Sequence, residues 1–279
     1  MLEKTQSTEI ENIYNRNKNK YILEKVSKNI FFLSSLIAVL SLLLIIGFVF
    51  YKGLTPFIFK GYSFIDFFTG SDWLPGSDKF GIAPMVVASI VATVGALIIG
   101  VPIGILTAVF IAEVAPKKVA KIISPAVALL AGIPSVLYGI FGLAVIVPNI
   151  QNIFNLPKGQ SLLAVIIVLS IMMLPTIISV SETAIRAVPK AYKEGSLALG
   201  ASKIETIFKV VLPAAKSGIL AAVVLGIGRA LGETMAVILV AGNSPVMPSS
   251  LMDSVRPLTT NIALEMGYAF GTHQEILFA

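Results

Sequence analysis

The stretch Ser217-Gly-Ile-Leu-Ala-Ala-Val-Val-Leu-Gly-Ile-Gly-Arg-Ala-Leu-Gly-Glu-Thr-Met-Ala-Val-Ile-Leu-Val-Ala-Gly242 decides the class of this chain. Nearly every position is apolar or small, and the run is long enough to cross about 30 Å of hydrocarbon as a helix. Its only charges are Arg229 and Glu233. Four further runs, near residues 30–51, 84–112, 122–147 and 161–181, are uncharged and of similar length. No alternating pattern of the kind a membrane barrel requires is present, so the reading is an all-α membrane protein with five spans. Charged residues make up 13% of the chain, against about 25% in soluble domains. That deficit excludes an ordinary soluble domain, and the hydrophobicity excludes a disordered chain.

The first run follows 29 largely polar residues and exceeds the apolar core of a cleavable leader. Residues 1–29 read as a tail ending in a surface helix near 20–29, and residues 30–279 as the membrane domain. With the N-terminus in the cytoplasm, the inside segments 1–29, 113–121 and 182–216 carry 15 Lys and Arg. The outside segments 52–79, 148–160 and 243–279 carry 5, and this asymmetry sets the expected orientation. The chain closes on Ile276-Leu-Phe-Ala279, which reads as the opening of a sixth span in a chain cut short. Trp73 and the aromatic residues of 57–68 read first as interfacial anchors. Cysteine is absent and His273 is the single histidine. Thiolate chemistry and multi-histidine metal sites are thereby excluded. No cofactor, catalytic residue or nucleic-acid partner is expected.

An ionised group at mid-bilayer costs roughly 2.5–3.5 kcal/mol, so Arg229 and Glu233 are the first candidates for function. A spacing of four puts both on one face of a continuous helix, close enough to pair. Gly228 and Gly232 form a small-xxx-small pattern beside them that admits another backbone. Two readings stay open: a charged site lining a pathway, with Thr234 beside it, or a structural ion pair locking two helices. As a pathway the chemistry suits an oxyanion, because the planar guanidinium matches phosphate oxygens. The nearby carboxylate repels a fully ionised anion such as sulfate but accepts a hydrogen bond from one that keeps a proton, as hydrogen phosphate does.

Between the fourth and fifth runs, residues 182–216 are too long for a turn. Ile204, Ile207, Phe208 and Val211 recur at helical spacing, and Ser202 with Glu205 forms a capping box. Gly200 suits the end of a preceding short helix and Pro213 the turn into the last span. The loop therefore reads as two short helices at the membrane surface. Gly195-Ser-Leu-Ala-Leu-Gly200 has P-loop glycine spacing but Ala201 where lysine is needed. ATP hydrolysis, if it drives this chain, belongs to another subunit.

These residues carry a resemblance. Glu194-Gly195-Ser196, Gly200 and Leu212-Pro213 are similar to the EAA loop of ABC importer permeases, with Gly-Ser in place of Ala-Ala. Gly228-Arg-Ala-Leu-Gly-Glu-Thr-Met-Ala-Val237, Gly132-Ile-Pro-Ser-Val-Leu-Tyr-Gly139 and Phe80-Gly-Ile-Ala-Pro84 resemble the PstC-type permeases of bacterial phosphate-specific importers. The resemblance implies a type I ABC importer helical bundle with a sixth span, missing here at the C-terminus. It implies a multi-pass protein of the bacterial inner (plasma) membrane and a phosphate path at Arg229 and Glu233. The loop 182–216 would couple to a PstB-type ATPase dimer that uses the ATP. A PstA-type second permease and an extracytoplasmic phosphate-binding protein complete the implied partners. Rival readings are a permease for molybdate or sulfate, an ion-gradient-driven transporter subunit, and a non-transporting membrane scaffold.

Overall fold

The computed structural model describes residues 2–279, with side chains from Lys20 onward except Ile22. The chain divides into two compact units, Met1–Gly61 with Phe270–Ala279, and Tyr62–Ala269. In the first, α1 is one helix over Leu2–Phe59, and the short α14 (Thr272–Phe278) packs on it through an edge-on contact of Phe48 with Phe278. The expected boundary between a surface helix near 20–29 and the first span is not a break. The backbone is helical through it.

The second unit is built on α3 (Ala83–Val109, continued by a wide turn to Val114) and α7 (Leu162–Arg186). Both are long and apolar enough to cross a membrane, as are Leu23–Phe59 of α1 and the stretch Ser135–Phe154. What brings α3 and α7 together is a stripe at four-residue spacing: Ala88, Ala92, Ala96, Gly100, Gly104 and Ala108, all buried. Small side chains let two helix backbones approach where lipid supplies no hydrophobic drive. A Cβ on Gly104 would stand 2.7 Å from Ile177 of α7. Ile177 is fully buried and has nowhere to retreat. Gly104→Leu is therefore expected to lower stability by about 1–3 kcal/mol through overpacking. A shifted unfolding midpoint in detergent, with a smaller shift for Gly104→Ala, checks it.

Two expected spans are broken. The run at 122–147 does not form one helix. It contains α4 (Lys117–Ala131) and then α5 (Ser135–Phe141), which continues through a wide turn into α6 (Val147–Phe154). Pro134 has no N–H to donate and drives Ile133 from helical geometry, and Gly132 ends the helix before it. Tyr138 bridges the break by donating from its hydroxyl to the Leu130 carbonyl at 2.8 Å. The run at 217–242 divides into α11 (Lys216–Gly232) and α12 (Met235–Val240). Glu233 between them has extended backbone, with φ −73° and ψ 130°. Absence of charge defined the first run and apolarity the second. Neither property records where backbone hydrogen bonding stops.

The segment between α7 and the last long helix forms two short helices, as its periodicity and capping box predict. These are α8 (Lys190–Ala198) and α9 (Lys203–Thr206), with α9 running through a wide turn into α10 (Leu212–Ala214). The chain then bends by 70° into α11. At the opposite end of α7, α2 (Phe64–Thr69), a hairpin of β1 (Trp73–Leu74) and β2 (Lys79–Phe80), and α13 (Leu258–Glu265) form a cap. Trp73, expected at a membrane interface, is instead 5% exposed, and its indole N–H donates to Glu265 at 2.8 Å.

Candidate substrate path and coupling loop

Arg229 lies near the end of α11, on the side that packs against α7. Ala222, Gly226 and Ala230 are buried there, and a Cβ on Gly226 would touch Ile177 and Met173 at 3.1 Å. Its guanidinium donates to Thr176 Oγ1 at 3.4 Å. Among the described residues no carboxylate pairs with it. A guanidinium has five donors, so a half-buried cation in a span is left with N–H groups that face no acceptor among the described residues.

The expected Arg229–Glu233 pair does not form. The four-residue spacing assumed a continuous helix, and the helix ends between the two residues. Glu233 instead accepts from the Ala236 N–H at 3.0 Å, satisfying one of the donors at the start of α12. Its own carbonyl accepts from Thr259 Oγ1 at 3.0 Å, which ties the break to α13. Thr234 Oγ1 donates back to the Gly232 carbonyl at 3.3 Å. A narrow cleft with room for about one water opens beside Glu233, with the hydroxyls of Ser89, Thr93 and Thr259 in its wall. Thr93 is 6% exposed. The break thus places a cation with no carboxylate partner among the described residues on one side and a carboxylate among hydroxyls on the other. Gly139 of α5 permits this arrangement, because a Cβ there would stand 2.8 Å from the Ala236 backbone.

Among the described residues, nothing lies within 4 Å of a Cβ at Gly228 or Gly232. Val224, Leu225, Leu231 and Met235 beside them are exposed. Any backbone that approaches this stripe comes from outside the described residues.

In the loop between α7 and α11, Ser196 Oγ lies 3.0 Å from Thr206 Oγ1 and joins α8 to α9. Lys193 pairs with Glu113 at the end of α3, so α8 is also anchored to a span. Gly200 turns between the helices with φ +89°, a conformation that favours glycine. The Ser202–Glu205 capping box is complete. The backbone N–H and then the hydroxyl of Ser202, with Lys209 adding less, hold the Glu205 carboxyl below its ordinary range. Leu212 is half-buried against Val211 and Ile207, and Pro213 opens α10. Glu194 and Gly195 are exposed on α8, and Tyr192, Leu197, Leu199, Ile204 and Phe208 project from the two helices.

Residues 100–272 match the family described as the binding-protein-dependent transport system inner membrane component. The chain belongs to that family. This permease is 42% identical over 260 residues to a probable ABC transporter permease protein, YqgH, of Bacillus subtilis, covering 92% of this chain and 84% of the relative. The phosphate transport system permease protein PstC of Pasteurella multocida is 32% identical over 236 residues, 78% of this chain and 73% of that one. The PstC of Mesorhizobium japonicum is 34% identical over 230 residues, covering 76% and 69%. The permease is of the PstC type on this similarity, a multi-pass helical subunit of an ABC importer. Among solved structures, the methionine ABC transporter MetNI aligns over 68% of this chain with a TM-score of 0.49 at 22% identity.

The sequence reading of this permease missed Ser89, Thr93 and Thr259, which are ordinary polar residues in an apolar run or a loop. It also missed the pairing of Arg256 with Glu265, 2.8 Å apart in the cap. The signal available was only that charges in a loop so near a span require partners.

Proposed function

We propose that this permease carries inorganic phosphate and that its path runs along the break between α11 and α12. Arg229 supplies the cation for the anion's oxygens, and Glu233 accepts from the hydroxyl that hydrogen phosphate keeps and sulfate lacks. Thr234, Ser89 and Thr93 offer hydroxyls beside them. The observation that carries this reading is a half-buried arginine with no carboxylate partner among the described residues, at the point where a span is interrupted. A neutral channel for an uncharged solute would gain nothing from such a cation, and a structural ion pair would have closed it. The PstC names of the relatives support phosphate over other oxyanions.

The N-terminus lies in the cytoplasm, and α8 and α9 dock on a PstB-type ATPase dimer that binds and hydrolyses the ATP. The exposed Leu199 and Phe208 and the rigid joint at Ser196 and Lys193 suit a docked element that transmits force. A PstA-type permease covers the Gly228–Gly232 stripe, and an extracytoplasmic phosphate-binding protein delivers the substrate. This chain itself binds no cofactor. The outward and inward openings of the path alternate as the ATPases close and part.

Labelled-phosphate uptake by the assembled system tests the substrate, with sulfate and molybdate as competitors. Uptake that needs ATP and resists both competitors is the expected result. Uptake driven by an ion gradient without ATP, or displaced equally by sulfate, contradicts it. The docking has its own test. Gly200→Trp forces a bulky residue into a φ of +89° at the joint of α8 and α9, a strain on the order of 1–3 kcal/mol. Co-purification with the ATPase is expected to be lost while the permease remains in the membrane.

A further inference from the structure

Where α3 runs out near Val114 and α7 ends at Arg186, an open cavity of about 490 Å³ is walled by Lys117, Ala120, Lys121, Ser124, Pro125 and Arg186. Three of these six carry positive charge. Glu182, the nearby carboxylate, is already engaged. It accepts from Ser124 Oγ at 3.0 Å and from Arg186 Nε at 2.9 Å. Arg186 also donates through Nη2 to the Ile111 carbonyl at 3.1 Å, which fixes its guanidinium in the wall. Neither Lys117 nor Lys121 pairs with a carboxylate among the described residues. The cavity therefore holds surplus positive charge and a hydroxyl, a lining that suits a phosphate group.

Its position narrows the source of that phosphate. The candidate spans Ala83–Val114 and Leu162–Arg186 both end here, which puts the cavity at the membrane–water boundary. On α4, the helix that carries Lys117 and Lys121, Ile122 (72% exposed) and Leu129 (75%) present apolar surface uncovered by the described residues. A free anion would use only the cationic wall. A phospholipid would use both parts, its headgroup in the cavity and its acyl chains along α4. We propose that this cavity binds the phosphodiester headgroup of an anionic phospholipid. The inference is independent of which solute the permease carries, since none of these residues belongs to the break between α11 and α12.

The test is native mass spectrometry of the full chain released from mixed micelles holding phosphatidylglycerol and phosphatidylcholine in equal amounts. The wild-type chain is expected to retain phosphatidylglycerol preferentially. Lys117→Gln with Lys121→Gln is expected to lower that preference about thirty-fold, each lysine near an anionic headgroup being worth roughly five-fold. Lys121→Gln alone gives the smaller loss. Lys118→Gln, the same change on the same helix outside the cavity wall, leaves the preference intact. Both cavity lysines are exposed, so the melting temperature of each variant stays at the wild-type value. An unchanged preference in the double variant, or an equal loss in Lys118→Gln, overturns the proposal. Displacement of phosphatidylglycerol by millimolar inorganic phosphate assigns the cavity to the free anion and overturns the lipid assignment.

Discussion

Arg229→Ala is expected to reduce phosphate uptake by roughly a hundredfold or more while leaving the permease folded in the membrane. The magnitude follows from the loss of two or more hydrogen bonds to a charged group, each worth about 1.5–3 kcal/mol, at about 1.4 kcal/mol per factor of ten. The structure explains why folding is spared. Arg229 has one long hydrogen bond, to Thr176, and no ion pair among the described residues, so its removal strands no buried carboxylate. Burial of α11 rests on Ala222, Gly226 and Ala230, which the substitution leaves in place. Arg229→Lys keeps the charge but loses the planar fork, and an intermediate uptake is expected. Transport assays paired with unfolding curves for both variants separate loss of function from loss of structure.

Glu265→Ala has the opposite signature: a large loss of stability that originates far in sequence from the proposed path. Glu265 is 5% exposed and joins three elements. It accepts from Trp73 of the hairpin at 2.8 Å and from Arg256 Nη1 at 2.8 Å, and it ends α13. Arg256 in turn donates to the Asn243 carbonyl at 2.8 Å and to Asn261 Oδ1 at 3.2 Å. Removing the carboxylate leaves a largely buried guanidinium without its counter-charge. Breaking such a pair from one side costs about 3–5 kcal/mol. Trp73 is the single tryptophan, so its emission reports directly on the cap. An early red shift on heating is expected in Glu265→Ala. Trp73→Phe keeps the Arg256 pair and costs less, about 1–2 kcal/mol.

The helical class is legible in the sequence because hydrocarbon thickness imposes a length on every crossing segment, whereas the five expected runs become four helices long and apolar enough to cross among the described residues, or five if the bent pair into α11 is one span. The capping box at Ser202 and Glu205 is equally legible, since a cap is a local pattern. Breaks inside the spans are not. Pro134 was visible, but prolines at 102 and 175 lie within continuous helices, so the residue alone does not say which one interrupts. At Glu233 the local signals are slight, a glycine before it and short-range contacts of Thr234 with Gly232 and of the Glu233 carboxylate with Ala236, and Thr259 adds a hydrogen bond from α13 to the Glu233 carbonyl. The two charges of the fifth run could be picked out as costly in a membrane. Their relation could not, because four residues apart means one face only while the helix continues. The small-residue stripe of α3 was present in the sequence, yet only the partner, α7, gives it meaning.

The charges on either side of that break carry the functional account, and sulfate inhibition of labelled-phosphate uptake in Glu233→Gln tests it most directly. Glutamine keeps the size and an acceptor for the Ala236 N–H while removing the negative charge that would turn away a fully ionised anion. Sulfate is expected to inhibit the variant far more strongly than the wild-type permease. Retention of the full wild-type preference for phosphate over sulfate would contradict the assignment of Glu233 to the substrate path.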